Sequence, residues 1–107
     1  MTPFTENVIR IIRSIPSGKV MTYGQIASLA GSPRGARQVV RILHSMSRKH
    51  QLPWHRVINS KGQIALKDEE AYQEQLFMLE SEGVEVGMHG IIELGKYRYH
   101  PEEYDYI

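Results

Sequence analysis

The 107-residue sequence contains no cysteine. This absence excludes disulfide bonds, zinc sites with thiolate ligands, and cysteine nucleophiles. No apolar run approaches the roughly 20 residues that a membrane-spanning helix needs, and the first residues lack a signal-peptide pattern. We therefore expect a cytoplasmic protein with no membrane partner, and the length predicts a single domain over residues 1–107.

Acidic residues are also missing from more than half of the chain. No Asp or Glu occurs between residues 7 and 67, although 11 of the 13 Lys and Arg lie there. From Asp68 onward the chain carries 11 of its 12 acids, so the net charge of +1 conceals a basic half and an acidic half. This asymmetry favours an anionic partner, such as nucleic acid, for the basic half. The alternative is that the two halves neutralise each other across the fold.

Apolar residues at helical spacing predict a mainly α fold. The pattern indicates one amphipathic helix over 3–15 and another over about 68–82, which Gly83 is well suited to end. Between these helices, residues 57–58 and 63–65 flank a turn that contains Gly. Two short apolar segments around such a turn predict a small β-hairpin.

A helix-turn-helix pattern lies in the basic half. Thr22 and Gln25 match a capping box, which predicts a short helix over 23–30. Gly31 can close this helix, and Ser32 and Pro33 are predicted as the cap and first turn of a second helix, which covers about 34–46 or a little beyond and is followed by a polar loop over 47–51. Together with the hairpin, this order is typical of a winged helix-turn-helix DNA-binding domain with a short β-hairpin wing.

The second of these helices has a charged side and an apolar side. At 100° per residue, four arginines share one sector: Arg34, Arg37, Arg41 and Arg48. The opposite side carries Ala36, Val39, Val40, Leu43 and Met46. No acid within one turn compensates the arginines, so we interpret their row as a phosphate-binding surface and helix 34–46 as the recognition helix. The small residues Gly35 and Ala36 allow Arg37 to approach the bases closely.

Other chemistries have weaker support. The five histidines are His44, His50, His55, His89 and His100. No two of them have the spacing of a helical zinc motif, so we expect no metal site, and we expect no cofactor. The chain has neither a nucleophile elbow nor a Gly-rich phosphate loop, which leaves a small hydrolase using His55 as base without a local signature.

Several motifs resemble those of a known family. Pro-Trp-His-Arg-Val at 53–57 resembles the Pro-Cys-His-Arg-Val active site of the O6-alkylguanine-DNA alkyltransferases. Gly-Lys-Val at 18–20, Thr-Tyr at 22–23 and Ala-Arg-Gln-Val at 36–39 match the family's upstream signature in order. Glu-Gly at 82–83 lies where the family has its active-site glutamate.

One difference changes what the resemblance implies. The position of the reactive cysteine holds Trp54, whose indole cannot accept an alkyl group, and this substitution is similar to that of the alkyltransferase-like proteins. The resemblance implies a monomeric, non-enzymatic protein that binds duplex DNA containing O6-alkylguanine and flips the lesion into a pocket. It also implies that the protein bends the DNA and directs the lesion to nucleotide-excision repair proteins. The alternative is a winged-helix DNA-binding regulator without lesion specificity.

The resemblance further implies roles for individual residues. Arg37 is the finger that fills the gap left by the flipped base, and Tyr23 presses on the 3′ phosphate. Trp54, Val57 and Lys67 line the lesion pocket with Tyr23, and the Lys67 ammonium lies over the alkylated base. The implied DNA contacts are Thr22, Tyr23, Gln25, Arg34, Gly35, Ala36, Arg37 and Arg41.

The family's active-site asparagine has no counterpart in this sequence. Met46 falls near its place, and the loop 47–52 differs from the family's. We therefore interpret His55 and Glu82 as structural remnants of the active site.

Overall fold

A computed structural model describes residues 1–101 of the chain, and it confirms the mainly helical fold. The helices are α1 (Pro3–Ser14), α2 (Tyr23–Leu29), α3 (Ala36–His50), α4 (Glu69–Ser81) and α5 (Leu94–Tyr97). The strands are β1 (Met21–Thr22) and β2 (Val57–Ile58), and short 3₁₀ turns cover Trp54–Arg56 and Met88–Gly90. None of the helices in residues 1–101 has the length and apolar character that crossing a membrane requires.

Local capping determines where three of the helices begin. The Thr2 hydroxyl accepts a hydrogen bond from the Thr5 N–H ahead of α1, where proline occupies the first turn. The Asp68 carboxylate accepts one from the Ala71 N–H ahead of α4. The predicted capping box of α2 is present in full. Such side-chain caps pair N–H groups that the first helical turn leaves without a backbone partner. The helices predicted near 3–15, 23–30 and 68–82 are thus confirmed.

The recognition helix differs from its prediction at both ends. The Gly35 N–H bonds to the Ser32 carbonyl at 2.8 Å, so the segment predicted to open the helix is a turn and Arg34 precedes α3. A Cβ on Gly35 would lie 3.0 Å from Phe4 Cζ, which explains the glycine in this buried turn. At the other end α3 runs four residues beyond Met46, because the backbone first leaves the helical region at Gln51, with φ 52°.

The predicted β-hairpin is reduced to a turn. The Asn59 N–H does bond to the Gln63 carbonyl at 3.2 Å, but no strand follows on the second side. Instead β2 pairs in parallel with β1, with Met21 opposite Val57, and Gln63 forms an isolated bridge with Ile91. The prediction was wrong because it paired β2 with the next segment along the chain, residues 63–65. The observed partner strand is β1, and both of its residues are buried.

Two apolar clusters form the core. The first joins α1, α2 and α3 with Leu52 and Val57. The second consists of Val20, Ile58, Ile64, Leu79, Val84, Ile92 and Tyr97. The two helices of the helix-turn-helix therefore pack on one cluster, while the segments after α4 pack on the other.

The last part of the chain is mostly irregular. The segment 84–86 forms no strand. Ile91 forms an isolated β-bridge with Gln63 but belongs to no strand. The Tyr99 N–H donates a 2.8 Å hydrogen bond to the Val20 carbonyl, which attaches the end of the described chain to the strand region. The tail over 97–107 carries four tyrosines, which predict packing or a final helical turn, and it lies partly outside the described residues, which end at Pro101.

Candidate nucleic-acid interface

The parallel strand pair brings together two motifs that lie far apart in the sequence. β1 leads directly into α2 at Tyr23, and β2 follows directly from the 3₁₀ turn that begins at Trp54. A parallel pair needs a long crossover connection, and here α2 and α3 provide it. As a result, Tyr23 and Trp54 line the same groove.

This groove has a volume of about 800 Å³ and is open to solvent on one side. Its walls come from α3, the Trp54 turn, Leu66 and the first half of α4. The residues that line it are Tyr23, Val40, Leu43, His44, Ser47, Arg48, Gln51, Leu52, Trp54, Val57, Leu66, Ala71, Glu74 and Gln75. The volume is in the range of small-molecule sites and exceeds what a single purine base occupies.

Three of the four predicted pocket residues line this groove. Tyr23 and Trp54 are half-buried there, and Val57 reaches it although it is 1% exposed. Burial raises the pKa of the Tyr23 hydroxyl, so this group stays neutral at physiological pH and can donate a hydrogen bond. Lys67 does not line the groove: its side chain is exposed, and Leu66 forms that part of the wall.

The predicted arginine row is exposed. Arg37, Arg41 and Arg48 project from α3, while Arg34 lies in the turn before it rather than on the helix. Within residues 1–101, none of these guanidinium groups has a carboxylate within ion-pair distance. The opposite side of α3 packs into the core, except that Val40, predicted to be core, is 45% exposed and lines the groove.

The fold itself uses the side chains of Thr22 and Gln25. The Thr22 hydroxyl accepts from the Gln25 N–H at 3.1 Å, and the Gln25 Oε1 accepts from the Thr22 N–H at 3.3 Å. The Gln25 Nε2 donates to the Tyr99 carbonyl at 2.6 Å. These bonds fix the start of α2 beside the groove, so a DNA contact by either side chain stays a prediction, as do the contacts of Gly35 and Ala36.

A charged network lies behind the Trp54 turn. The Glu82 carboxylate meets His55 Nε2 at 2.7 Å and accepts from Arg56 Nη2 at 2.6 Å. Its other oxygen accepts from the Gly18 N–H at 3.1 Å, and Arg56 Nη1 donates to the Ile15 carbonyl at 2.8 Å. The network therefore ties the Trp54 turn to the end of α4 and to the turn after α1.

Two opposing effects act on the Glu82 carboxyl. Partial burial favours the neutral acid, but hydrogen bonds from Arg56, His55 and the Gly18 N–H favour the carboxylate. The second group of effects prevails, and the pKa of Glu82 falls from 4.5 to about 2. Glu82 is therefore ionised at physiological pH.

Sequence reasoning missed Gln75, which supports the same turn from α4. Gln75 is 3% exposed, and its Nε2 donates to the carbonyls of His55 and Val57 at 3.0 and 3.2 Å. A signal was present, because Gln75 lies one helical turn before the buried Leu79 and therefore on the core side of α4. A polar residue on such a face indicates a buried hydrogen-bonding role.

The part of the chain covered by residues 1–101 contains no group of three or more His, Asp or Glu side chains that could hold a metal ion. The groove thus combines aromatic, aliphatic and amide surfaces with one arginine, Arg48, and one carboxylate, Glu74. Such a surface suits a flat aromatic base attached to a phosphate backbone.

Comparison with known proteins agrees with this geometry. The model of the 6-O-methylguanine DNA methyltransferase DNA-binding domain matches residues 3–84. A DNA base-flipping protein of Vibrio parahaemolyticus is 45% identical over 101 residues, covering 94% of this chain and 100% of the relative. Alkyltransferase-like protein 1 of Schizosaccharomyces pombe is 42% identical over 105 residues, covering 97% and 94%.

Solved structures give the same result. The S. pombe Atl1 in complex with damaged DNA containing O6-carboxymethylguanine superposes with a TM-score of 0.83 at 39% identity, covering 94% of this chain and 98% of that one. The O6-methylguanine methyltransferase of Mycobacterium tuberculosis superposes with a TM-score of 0.60 at 27% identity, covering 77% of this chain and 49% of that one. The chain therefore belongs to the family defined by the DNA-binding domain of the 6-O-methylguanine DNA methyltransferases, and within it to the alkyltransferase-like proteins.

Proposed function

We propose that this protein recognises O6-alkylguanine in duplex DNA by holding the extruded base in the groove, and that it transfers no alkyl group. The observation that carries the proposal is the position of Trp54. It replaces the reactive cysteine of the resembling motif and forms a wall of a groove that Arg48, one of the exposed arginines of α3, also lines. The S. pombe relative bound to damaged DNA supports the same reading.

Two residues are suited to extruding the base. Arg37 lies in the first turn of α3, where its exposed guanidinium can enter the space that a flipped base leaves in the duplex. Tyr23 lines the groove with a neutral hydroxyl that can press on the neighbouring phosphate. Arg34 and Arg41 add positive charge for the phosphate backbone.

Alkyl transfer needs a nucleophile at the alkyl carbon, and the groove offers none at the corresponding position. The chain has no cysteine, and the indole of Trp54 is not nucleophilic at neutral pH. His55 is 5% exposed, and its Nε2 contacts Glu82, so it does not face a substrate in the groove. The protein then acts as a marker: it bends the DNA around the lesion and leaves removal to nucleotide-excision repair proteins.

A paired gel-shift titration tests the recognition step. One duplex carries a single O6-methylguanine and its twin carries guanine, both at the same stated salt concentration, because phosphate contacts make affinity salt-dependent. We expect the lesion duplex to bind at least about tenfold more tightly, which corresponds to 1.4 kcal/mol. Equal affinities would instead favour a winged-helix regulator without lesion specificity.

A second assay tests the absence of chemistry. The lesion duplex carries a radiolabelled O6-methyl group and is incubated with excess protein, and an active alkyltransferase serves as the positive control. We expect the label to remain in the DNA. Label recovered on the protein would contradict the non-enzymatic assignment.

A further inference from the structure

The loop from Gly87 to Ile91 is held firmly by the residues around it. The Gly87 N–H bonds to the Ile91 carbonyl at 2.8 Å and closes the loop on itself. The Ile64 N–H bonds to the Gly90 carbonyl at 3.0 Å, and Gln63 Nε2 donates to the His89 carbonyl at 2.8 Å. These bonds indicate that the loop keeps one conformation.

The packing under the loop also requires a defined backbone. Gly90 is buried with φ 75°, and a Cβ there would lie 2.6 Å from the Tyr72 hydroxyl oxygen. Only glycine fits this close approach without moving Tyr72. The loop is therefore built around a fixed turn on the second apolar cluster.

The same loop leaves large apolar side chains in solvent. Met88 is 81% exposed and Ile91 is 51% exposed, although both lie on a well-held backbone. Because the loop backbone is already ordered, a partner that covers these residues has to order only their side chains. Methionine is also suited to irregular partner surfaces because its side chain is unbranched and polarizable.

Two carboxylates, those of Glu85 and Glu93, lie next to this loop. A shallow depression beside Met88 is lined by Glu85, Val86, Gly87, Ile91, Glu93 and Tyr97. A cation of the chain itself already lies here: Lys96 Nζ is 3.8 Å from Glu85 Oε1 and 5.2 Å from the centre of the Tyr97 ring. The depression thus combines negative charge with aliphatic and aromatic surface.

We propose that the Gly87–Ile91 loop and this depression form a docking surface for a basic segment of another protein. Met88 would contact the aliphatic parts of that segment, and Glu85 and Glu93 would pair with its Lys or Arg side chains. The carboxylates disfavour nucleic acid as the occupant. They also disfavour the last six residues of the chain, which carry three acids of their own.

This surface is separate from the groove. The loop packs on the second cluster, whereas α2 and α3 pack on the first. A partner could therefore bind here while duplex DNA lies along α3. Binding at this surface does not depend on lesion recognition, and the peptide titration that tests it is carried out without DNA.

The test is an NMR titration of the ¹⁵N-labelled full chain with a synthetic peptide of alternating Arg and Leu. A peptide of the same length with Glu in place of Arg serves as the negative control. We expect the basic peptide to shift backbone amide signals within residues 85–93 and the acidic peptide to shift none. Met88→Ser should weaken binding by about fivefold, which is the effect of losing one exposed anchor of roughly 1 kcal/mol.

Phe77→Ser is the control, because Phe77 is 72% exposed on α4 and belongs neither to the Gly87–Ile91 loop nor to the depression. It should leave peptide binding unchanged. Shifts spread over the whole acidic half, or equal weakening by Phe77→Ser and Met88→Ser, would show unspecific charge attraction and overturn the proposal. Met88→Ser should also leave duplex binding unchanged, and a loss there would contradict the separation of the two surfaces.

Discussion

His55 Nε2 lies 2.7 Å from Glu82 Oε2, although no cysteine is present for this pair to activate. The same carboxylate binds Arg56 and the Gly18 N–H, so it joins three segments around the turn that carries Trp54. This supports the interpretation of His55 and Glu82 as structural residues. The pair holds the wall of the groove in place, and the position of Trp54 depends on it.

The first prediction concerns the stability that Glu82 provides. Its pKa in the folded protein is about 2, below the ordinary 4.5, so its stabilising effect is present above about pH 4.5 and is lost as the pH falls through about 2. Glu82→Gln should lower the free energy of unfolding by about 1–3 kcal/mol at pH 7, a range discounted for solvent screening, and by much less at pH 2. Urea unfolding at both pH values measures the difference.

Glu80→Gln is the matched control, because Glu80 is an exposed acid on the same helix. It should change stability by less than about 0.5 kcal/mol at either pH. If Glu82→Gln destabilised the protein equally at pH 7 and pH 2, the effect would not come from the ionised carboxylate.

The second prediction concerns Arg37. Arg37→Ala should weaken binding to the O6-methylguanine duplex by roughly 1–3 kcal/mol, because the guanidinium no longer fills the gap in the base stack. Arg10→Ala, on the exposed side of α1, is the control for loss of a positive charge. A change below about 0.5 kcal/mol for Arg37→Ala in gel-shift titrations would remove its role as the finger.

The third prediction concerns the size of the lesion. The groove of about 800 Å³ leaves space beyond a guanine base, so O6-methyl and O6-benzyl lesions should bind within about tenfold of each other. Leu66→Trp, at the exposed wall, should reduce the affinity for the benzyl lesion more than that for the methyl lesion. A collapse of affinity for the benzyl lesion in the unmodified protein would show that the groove does not accept the larger group.

The fourth prediction uses the single tryptophan of the chain. Trp54 is half-buried at the groove, so a base that enters should change its fluorescence, whereas a duplex bound along α3 without extrusion should not. We expect a change in intensity with the lesion duplex and a smaller one with the unmodified duplex at equal saturation. The free nucleoside O6-methylguanosine, added without DNA, controls for quenching of Trp54 fluorescence that requires no bound duplex. Identical changes with both duplexes would argue against base-specific entry into the groove.

The sequence predicted the features that depend on neighbouring residues. Thr2, Thr22 and Asp68 mark helix starts because each side chain bonds to an N–H three residues later. The exposed arginines of α3 could be predicted because helical periodicity places them on one side. The loss of the reactive thiol needed only the identity of residue 54.

Other features depend on contacts between distant parts of the chain. The partner of β2 is β1 rather than the segment 63–65, and Leu66 rather than Lys67 faces the groove. Glycine at position 35 reflects the close approach of Phe4, whose Cζ would lie 3.0 Å from a Cβ there. Spacing along the chain gives no information on such contacts, because several partners are compatible with the same local pattern.

By itself the sequence determined that this is a helical, DNA-binding relative of the alkyltransferases that contains no cysteine. Local hydrogen bonding and helical periodicity are sufficient to predict the helices, whereas the relationship to the alkyltransferases follows from the resemblance of the motifs. Only the tertiary structure decided how Tyr23 and Trp54 come to share a groove and how Gln75 and Glu82 support it. The physical reason is that strand pairing and the burial of polar groups are settled by which distant segments pack together.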